Sequence, residues 1–132
     1  MKTQDTGVAR RFNALVIEDN RDFAKLFCDL LAVLGGSAEI ASSAQAGIEK
    51  AAAMPPDIVF CDIGLPGDKD GVDFAREFRQ DGRFGKIPVI AVTGLNYAAG
   101  RINDLRADFH DVFEKPIKFG QLFRVLRNLQ LC

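Results

Sequence analysis

The chain has 132 residues, 48% hydrophobic and 27% charged, the proportions of an ordinary globular domain with room for a sizeable core. Seventeen basic residues against eighteen acidic ones leave a net charge of -1, so bulk charge gives no reason to expect DNA or RNA as a partner, and no apolar run is long enough for a membrane-spanning helix. Cys28, Cys61 and Cys132 lack metal-ligand spacing, and His110 is the only histidine; they read as free thiols, which makes zinc a poor fit and the cytoplasm the expected compartment.

Residues 1–11 are polar, lack the apolar centre of a signal peptide, and read as a short mobile tail ahead of one domain over 12–132. Asn13 to Glu18 is a first buried strand, closed by Glu18-Asp19-Asn20, where two carboxylates meet a helix N-cap signal. The helix expected from Arg21 to Leu34 sets Phe23, Phe27, Leu30, Leu31 and Leu34 on one face and stops at Gly35-Gly36. Ala38 to Ala41 is a short second strand, and Ser42-Ser43 caps a helix over Ala44 to Ala53 that Met54-Pro55-Pro56 ends.

Asp57 to Cys61 is the third strand, with Ile58, Val59 and Phe60 suited to a buried pleat; it runs into Asp62 and a Gly/Pro loop. Val72 to Gln80 reads as a helix with Phe74 and Phe78 one turn apart, broken by Gly82 and Gly85. Ile87 to Val92 is the fourth strand, closed by Thr93-Gly94. A helix near Tyr97 to Ala107 is weakened by Gly100 and expected to be mobile. Val112 to Glu114 is the fifth strand, followed by Lys115-Pro116, and the last helix, Lys118 to Leu129, is expected to bury Phe119, Leu122, Phe123, Leu126 and Leu129.

Strands alternating with helices in this way imply an α/β fold: a parallel sheet with right-handed crossovers and helices on both faces. Ligands of such sheets bind at the carboxyl edge of the strands. Four strands end there in polar groups, namely Glu18 with Asp19, Asp62, Thr93 and Lys115. Singly, each is an ordinary cap, turn or surface residue; their joint arrival on one edge is what points to a site. Three carboxylates brought together repel one another and need a cation. Mg2+ suits them, because it takes a few oxygen ligands from protein and leaves room for water and a phosphoryl oxygen. Asp19 and Asp62 would be direct ligands, Glu18 would act through water, and the Gly64 carbonyl would be a third protein ligand. The other oxygen of Asp62 could then attack phosphorus, with the Lys115 ammonium and the Thr93 hydroxyl stabilising the group in transfer.

Four stretches, Leu15-Val16-Ile17-Glu18-Asp19-Asn20, Pro56-Asp57-Ile58-Val59-Phe60-Cys61-Asp62-Ile63-Gly64-Leu65-Pro66-Gly67, Pro88-Val89-Ile90-Ala91-Val92-Thr93-Gly94 and Lys115-Pro116, resemble the receiver domain of two-component response regulators. The resemblance runs from about Asn13 to Leu129. It implies a flavodoxin-like doubly wound sheet of order 2-1-3-4-5 with five helices, and phosphoryl transfer to Asp62 from a sensor histidine kinase or a histidine phosphotransfer protein. It also implies that Thr93 follows the phosphoryl group and that Lys115–Pro116 is cis. Signalling would then be a change in protein contacts, with a downstream target or as a homodimer, on the face of the fourth helix, fifth strand and fifth helix. The one-domain length adds the expectation of a stand-alone switch that neither binds DNA nor acts as an enzyme beyond turning over its own phosphate.

Three positions depart from the family pattern. The loop Pro66-Gly67-Asp68-Lys69-Asp70-Gly71 is one residue longer and more charged than usual; Val112 stands at the usual aromatic switch position, with Phe113 expected to point to the opposite side of the strand; and Asp108 stands where a glycine commonly precedes the fifth strand. Two rival readings follow. A pseudo-receiver would keep the fold as a phosphorylation-independent binding module, against which the full set of site residues weighs. A haloacid-dehalogenase-type phosphatase would want a second Asp where Gly64 stands. His110 reads as structural or exposed, and Gly64 and Leu95 lie where neighbours of the phosphoryl group are expected.

Overall fold

A computed structural model describes residues 12–94 and 107–132. The described elements are β1 (Phe12–Ile17), α1 (Arg21–Val33), β2 (Gly36–Ala41), α2 (Ala44–Ala53), β3 (Ile58–Asp62), α3 (Gly71–Gln80), β4 (Val89–Thr93), β5 (Asp111–Glu114) and α4 (Phe119–Asn128). The strands form one sheet of order β2-β1-β3-β4-β5, every neighbouring pair parallel. Five parallel strands in that order, with helices on both faces, agree with the expected architecture. Four helices lie among the described residues; the fifth, expected near Tyr97 to Ala107, falls almost wholly outside them, as does the tail expected over 1–11.

Alternating side chains divide the core in two. Leu15, Ile17, Val59, Cys61, Val89 and Ala91 face one way, against Ala44 and Ala51 of α2 and Phe74, Ala75 and Phe78 of α3. Ala14, Val16, Ile58, Phe60, Ile90, Val92 and Phe113 face the other, against Ala24, Phe27 and Leu31 of α1 and Leu122, Val125 and Leu126 of α4. The central β3 and β4 are buried along their whole length, which is why they read as unbroken apolar runs.

The caps follow the sequence signals. The Asn20 side chain accepts from the Phe23 N–H at the start of α1, and Ser43 accepts from the Ala46 N–H at the start of α2. Gly35 ends α1 with φ 93, a conformation that glycine adopts without steric cost. Two boundaries differ in a way that matters: β3 includes Asp62 and β4 includes Thr93, so each group is the last residue of a strand and not the first of a loop.

One packing expectation is corrected. The buried stripe of α4 is Leu122, Val125 and Leu126, with Leu129 half-buried, whereas Phe119 and Phe123 are 43% and 40% exposed. Both sit at the edge of that stripe, beyond the reach of the sheet. Cys61 is buried, Cys28 and Cys132 are half-buried, and all three are free thiols. No helix among the described residues is long and apolar enough to cross a membrane.

Candidate functional site

The carboxyl ends of β1, β3, β4 and β5 bring Glu18, Asp62, Thr93 and Lys115 together. Glu18 follows β1 directly and its N–H donates to the Ala41 carbonyl of β2 (2.9 Å), which fixes its main chain. Its side chain is only 3% exposed, yet both carboxylate oxygens have donors: Oε1 accepts from Lys115 Nζ at 2.9 Å and Oε2 from the Asn20 N–H at 3.0 Å. Asp62 Oδ1 accepts from the Gly64 N–H at 3.0 Å, while Oδ2 lies 3.6 Å from Lys115 Nζ. Lys115 is placed by its own N–H, which donates to the Thr93 carbonyl (2.8 Å), and the Lys115–Pro116 bond that follows is cis, as expected. Among the described residues, the Thr93 hydroxyl donates to the Gly94 carbonyl at 3.1 Å.

Asp19 is exposed beside this group, and one carboxylate oxygen from each of Glu18, Asp19 and Asp62 lies within 4.8 Å of the others. Three carboxylates thus stand against one ammonium. Burial pushes the Glu18 carboxyl above its ordinary value, the Asp62 charge adds to the rise, and the hydrogen bonds from Asn20 and Lys115 hold it back. Burial alone would lower the Lys115 ammonium, but the hydrogen bond to Glu18 and the charges of Asp62 and Glu18 outweigh it, so its pKa is raised. Lys115 therefore keeps its proton through neutral pH and serves as a fixed positive charge. Burial also pushes the Cys61 thiol well above its ordinary value, which leaves it unreactive beside Asp62.

Two further residues complete the site. Phe23, in the first turn of α1, presents its ring 4.5 Å from Lys115 Nζ. Helical spacing places it only on the apolar face of α1; its signal is its place one turn after the acidic pair. Gly71, the first residue of α3, donates its N–H to the Ile63 carbonyl at 3.1 Å. A Cβ there would overlap the Asp62 carbonyl oxygen and come within 2.8 Å of Ile63 Cα, so only glycine lets α3 dock on the main chain of Asp62. Its signal was the Asp70-Gly71 step before an apolar helical pattern.

The longer loop is absorbed before that contact. Gly67 turns with φ 100, Lys69 pairs with Glu77 of α3 at 2.7 Å, and Asp70 closes a capping box with Asp73. Val112 is half-buried on the α2/α3 face and Phe113 is buried on the α1/α4 face, as the strand's alternation requires. Asp108 is not left-handed, since Gln130 is the one non-glycine residue with positive φ among the described residues. Its carboxylate accepts from Arg76 Nε (3.3 Å) and its carbonyl from Arg79 Nε (3.1 Å), which ties the approach to β5 onto α3. His110 is exposed, with its N–H donating to the Val89 carbonyl. Leu95 lies outside the described residues.

The family model of the response regulator receiver domain matches residues 14–127. The chain is 32% identical over 115 residues to the KDP operon transcriptional regulatory protein KdpE of Escherichia coli, covering 87% of this chain and 49% of that protein. It is 31% identical over 112 residues to the signal transduction histidine-protein kinase BarA of Escherichia coli, covering 85% of this chain and 12% of the kinase. The chain thus spans half or less of these curated relatives. Its fold is similar to a CheY-like response regulator receiver domain from Methylobacillus flagellatus, with a TM-score of 0.80 and 26% identity over 92% of this chain and 98% of that one.

Proposed function

The chain belongs to the response regulator receiver family, and from that premise we propose that it accepts a phosphoryl group on Asp62 from the phosphohistidine of a kinase or phosphotransfer protein. One observation carries the reading: Asp62 stands in one cluster with Glu18 and Asp19, and Lys115 lies between Glu18 and Asp62. An Asp62 oxygen attacks phosphorus, the P–N bond breaks, and the imidazole leaves with the bonding pair and takes up a proton. Lys115, already protonated, meets the charge on the transferring group without a proton transfer. The Thr93 hydroxyl at the end of β4 turns from the Gly94 carbonyl to the new phosphoryl oxygens.

The donor set fits Mg2+, being all oxygen and in excess of negative charge. Asp19, Asp62 and the Gly64 carbonyl would hold the ion directly. Glu18 would act through water, because both of its oxygens already accept from protein donors. When bound, the ion would offset the carboxylate charges and polarise the phosphoryl oxygens. The output is a change in protein contacts, and the surface of β5 and α4, where Phe119 and Phe123 stand exposed, is the place proposed for it.

The test is incubation with acetyl phosphate, with Mg2+ or with EDTA, followed by intact mass measurement. A phosphate-sized gain is expected that needs Mg2+ and disappears in Asp62→Asn. No gain under conditions that label a control receiver would end the phosphoacceptor reading and leave a binding module that keeps the fold alone.

A further inference from the structure

We infer that Phe23 is a positioning residue for this chemistry: its ring forms the third wall of the slot that holds the Lys115 ammonium between Glu18 and Asp62. The inference rests on the phosphoacceptor reading for its consequence, though not for its geometry. A lysine ammonium is a compact charge on a flexible four-carbon stem, and two carboxylates alone do not fix where it sits. Here they are unequal partners, Glu18 at 2.9 Å and Asp62 at 3.6 Å. The Phe23 ring, 4.5 Å away, attracts the ammonium through its negative face and shields it from water. Charges inside a drier slot act more strongly on one another.

The wall is rigid. Phe23 meets Phe27 edge-on at 6.1 Å, Phe27 packs on Phe60 at 4.8 Å, and Phe60 reaches Phe113 at 6.5 Å. Phe60 lies two residues before Asp62 in β3, and Phe113 of β5 two residues before Lys115, which follows that strand, so the rings lead up to the functional groups. The start of α1 contributes twice: the Asn20 N–H bonds Glu18, and one turn later Phe23 covers the lysine that Glu18 holds. Phe23 is half-buried where Phe27, on the same helix, is wholly buried, as expected of a ring whose open face serves a charge instead of the core.

Phe23→Leu keeps an apolar side chain and removes the ring; Phe23→Tyr keeps the ring. In the unphosphorylated protein, NMR should find the ε-methylene protons of Lys115 shifted upfield in the wild type and in Phe23→Tyr, and returned towards ordinary values in Phe23→Leu. Labelling of Asp62 by acetyl phosphate at saturating Mg2+ should slow about three- to tenfold in Phe23→Leu and recover to within about twofold in Phe23→Tyr. Phe23→Met gives the same comparison should Leu lower the melting temperature. An ordinary Lys115 shift in the wild type would overturn the inference, as would equal labelling rates across Phe, Leu and Met. Failure of the wild type to label at all would sink the phosphoacceptor reading instead, and the NMR comparison would still decide the placement of Lys115.

Discussion

On the α1 side of Asp62 the site is held mostly by side chains, with one main-chain donor at Glu18. Lys115 spans Glu18 and Asp62, the Asn20 N–H caps Glu18, and Phe23 closes the remaining wall. On the α3 side it is held by main chain: the Gly64 N–H bonds Asp62 Oδ1, and Gly71 sits against the Asp62 carbonyl with no room for a methyl group. The two sides respond to change differently. Side chains that place a charge can be exchanged with graded losses, because a neighbour can move or water can enter. A backbone contact has no slack, so the helix on that side either docks or shifts.

Within the site, the largest effect is therefore expected from the smallest substitution. Gly71→Ala forces α3 away from Asp62 and Ile63, both of which belong to or follow a central buried strand, and should cost about 3 kcal/mol in urea unfolding. Acetyl phosphate labelling should fall with it, because the main chain of Asp62, the proposed acceptor, moves. A Gly71→Ala protein of wild-type stability would show that the α3 contact has slack after all, and would remove the distinction between the two sides.

Lys115→Met probes the other side. It leaves the Glu18 carboxylate buried with one donor fewer and with Asp62 still beside it, at a cost of about 2 kcal/mol at neutral pH in metal-free buffer. The pH dependence has a definite sign. Glu18 already has a raised pKa in the folded state, so the native form holds a proton that the unfolded chain has released, and stability falls as pH rises through that window. Without Lys115 the rise is larger. The deficit of the variant should therefore shrink as pH is lowered through the raised Glu18 value, where the neutral carboxyl needs no counter-charge. A deficit that stays constant with pH would mean that Lys115 contributes packing of its stem alone.

Most of the fold was legible because its signals are local. Asn20 and Ser43 mark helix starts, Gly35 marks a stop, and β3 and β4 are apolar runs too short for helices. Glu18, Asp62, Thr93 and Lys115 could be grouped because a parallel sheet brings strand ends to one edge whatever the spacing between them. The Phe23–Lys115 contact was not legible, since it depends on how far the Lys115 side chain reaches along the strand ends towards α1, which periodicity does not record. Gly71 was visible only as part of an unusual loop, because the atoms that exclude a methyl group belong to another strand end. Phe119 and Phe123 were misjudged for a related reason: helical spacing shows which residues share a face, but the width of the sheet beneath decides how much of that face is covered.

That last point yields the smallest predicted effect. Phe119→Ser and Phe123→Ser should each change stability by no more than about 0.5 kcal/mol, since both rings already meet solvent, whereas truncating the buried Leu122 to Ala should cost about 2–5 kcal/mol. Arg127 lies 5.6 Å from the Phe123 ring, an exposed pairing whose loss falls inside the same range. A loss well above that range in urea unfolding would mean that something covers these rings in solution. If the cover is a second copy of the chain, the melting temperature of the wild type must rise with protein concentration, and that dependence must vanish in the variant. A small loss with no concentration dependence leaves the two rings free for a different protein, and makes phosphorylation of Asp62 the event to vary while binding is measured at this face.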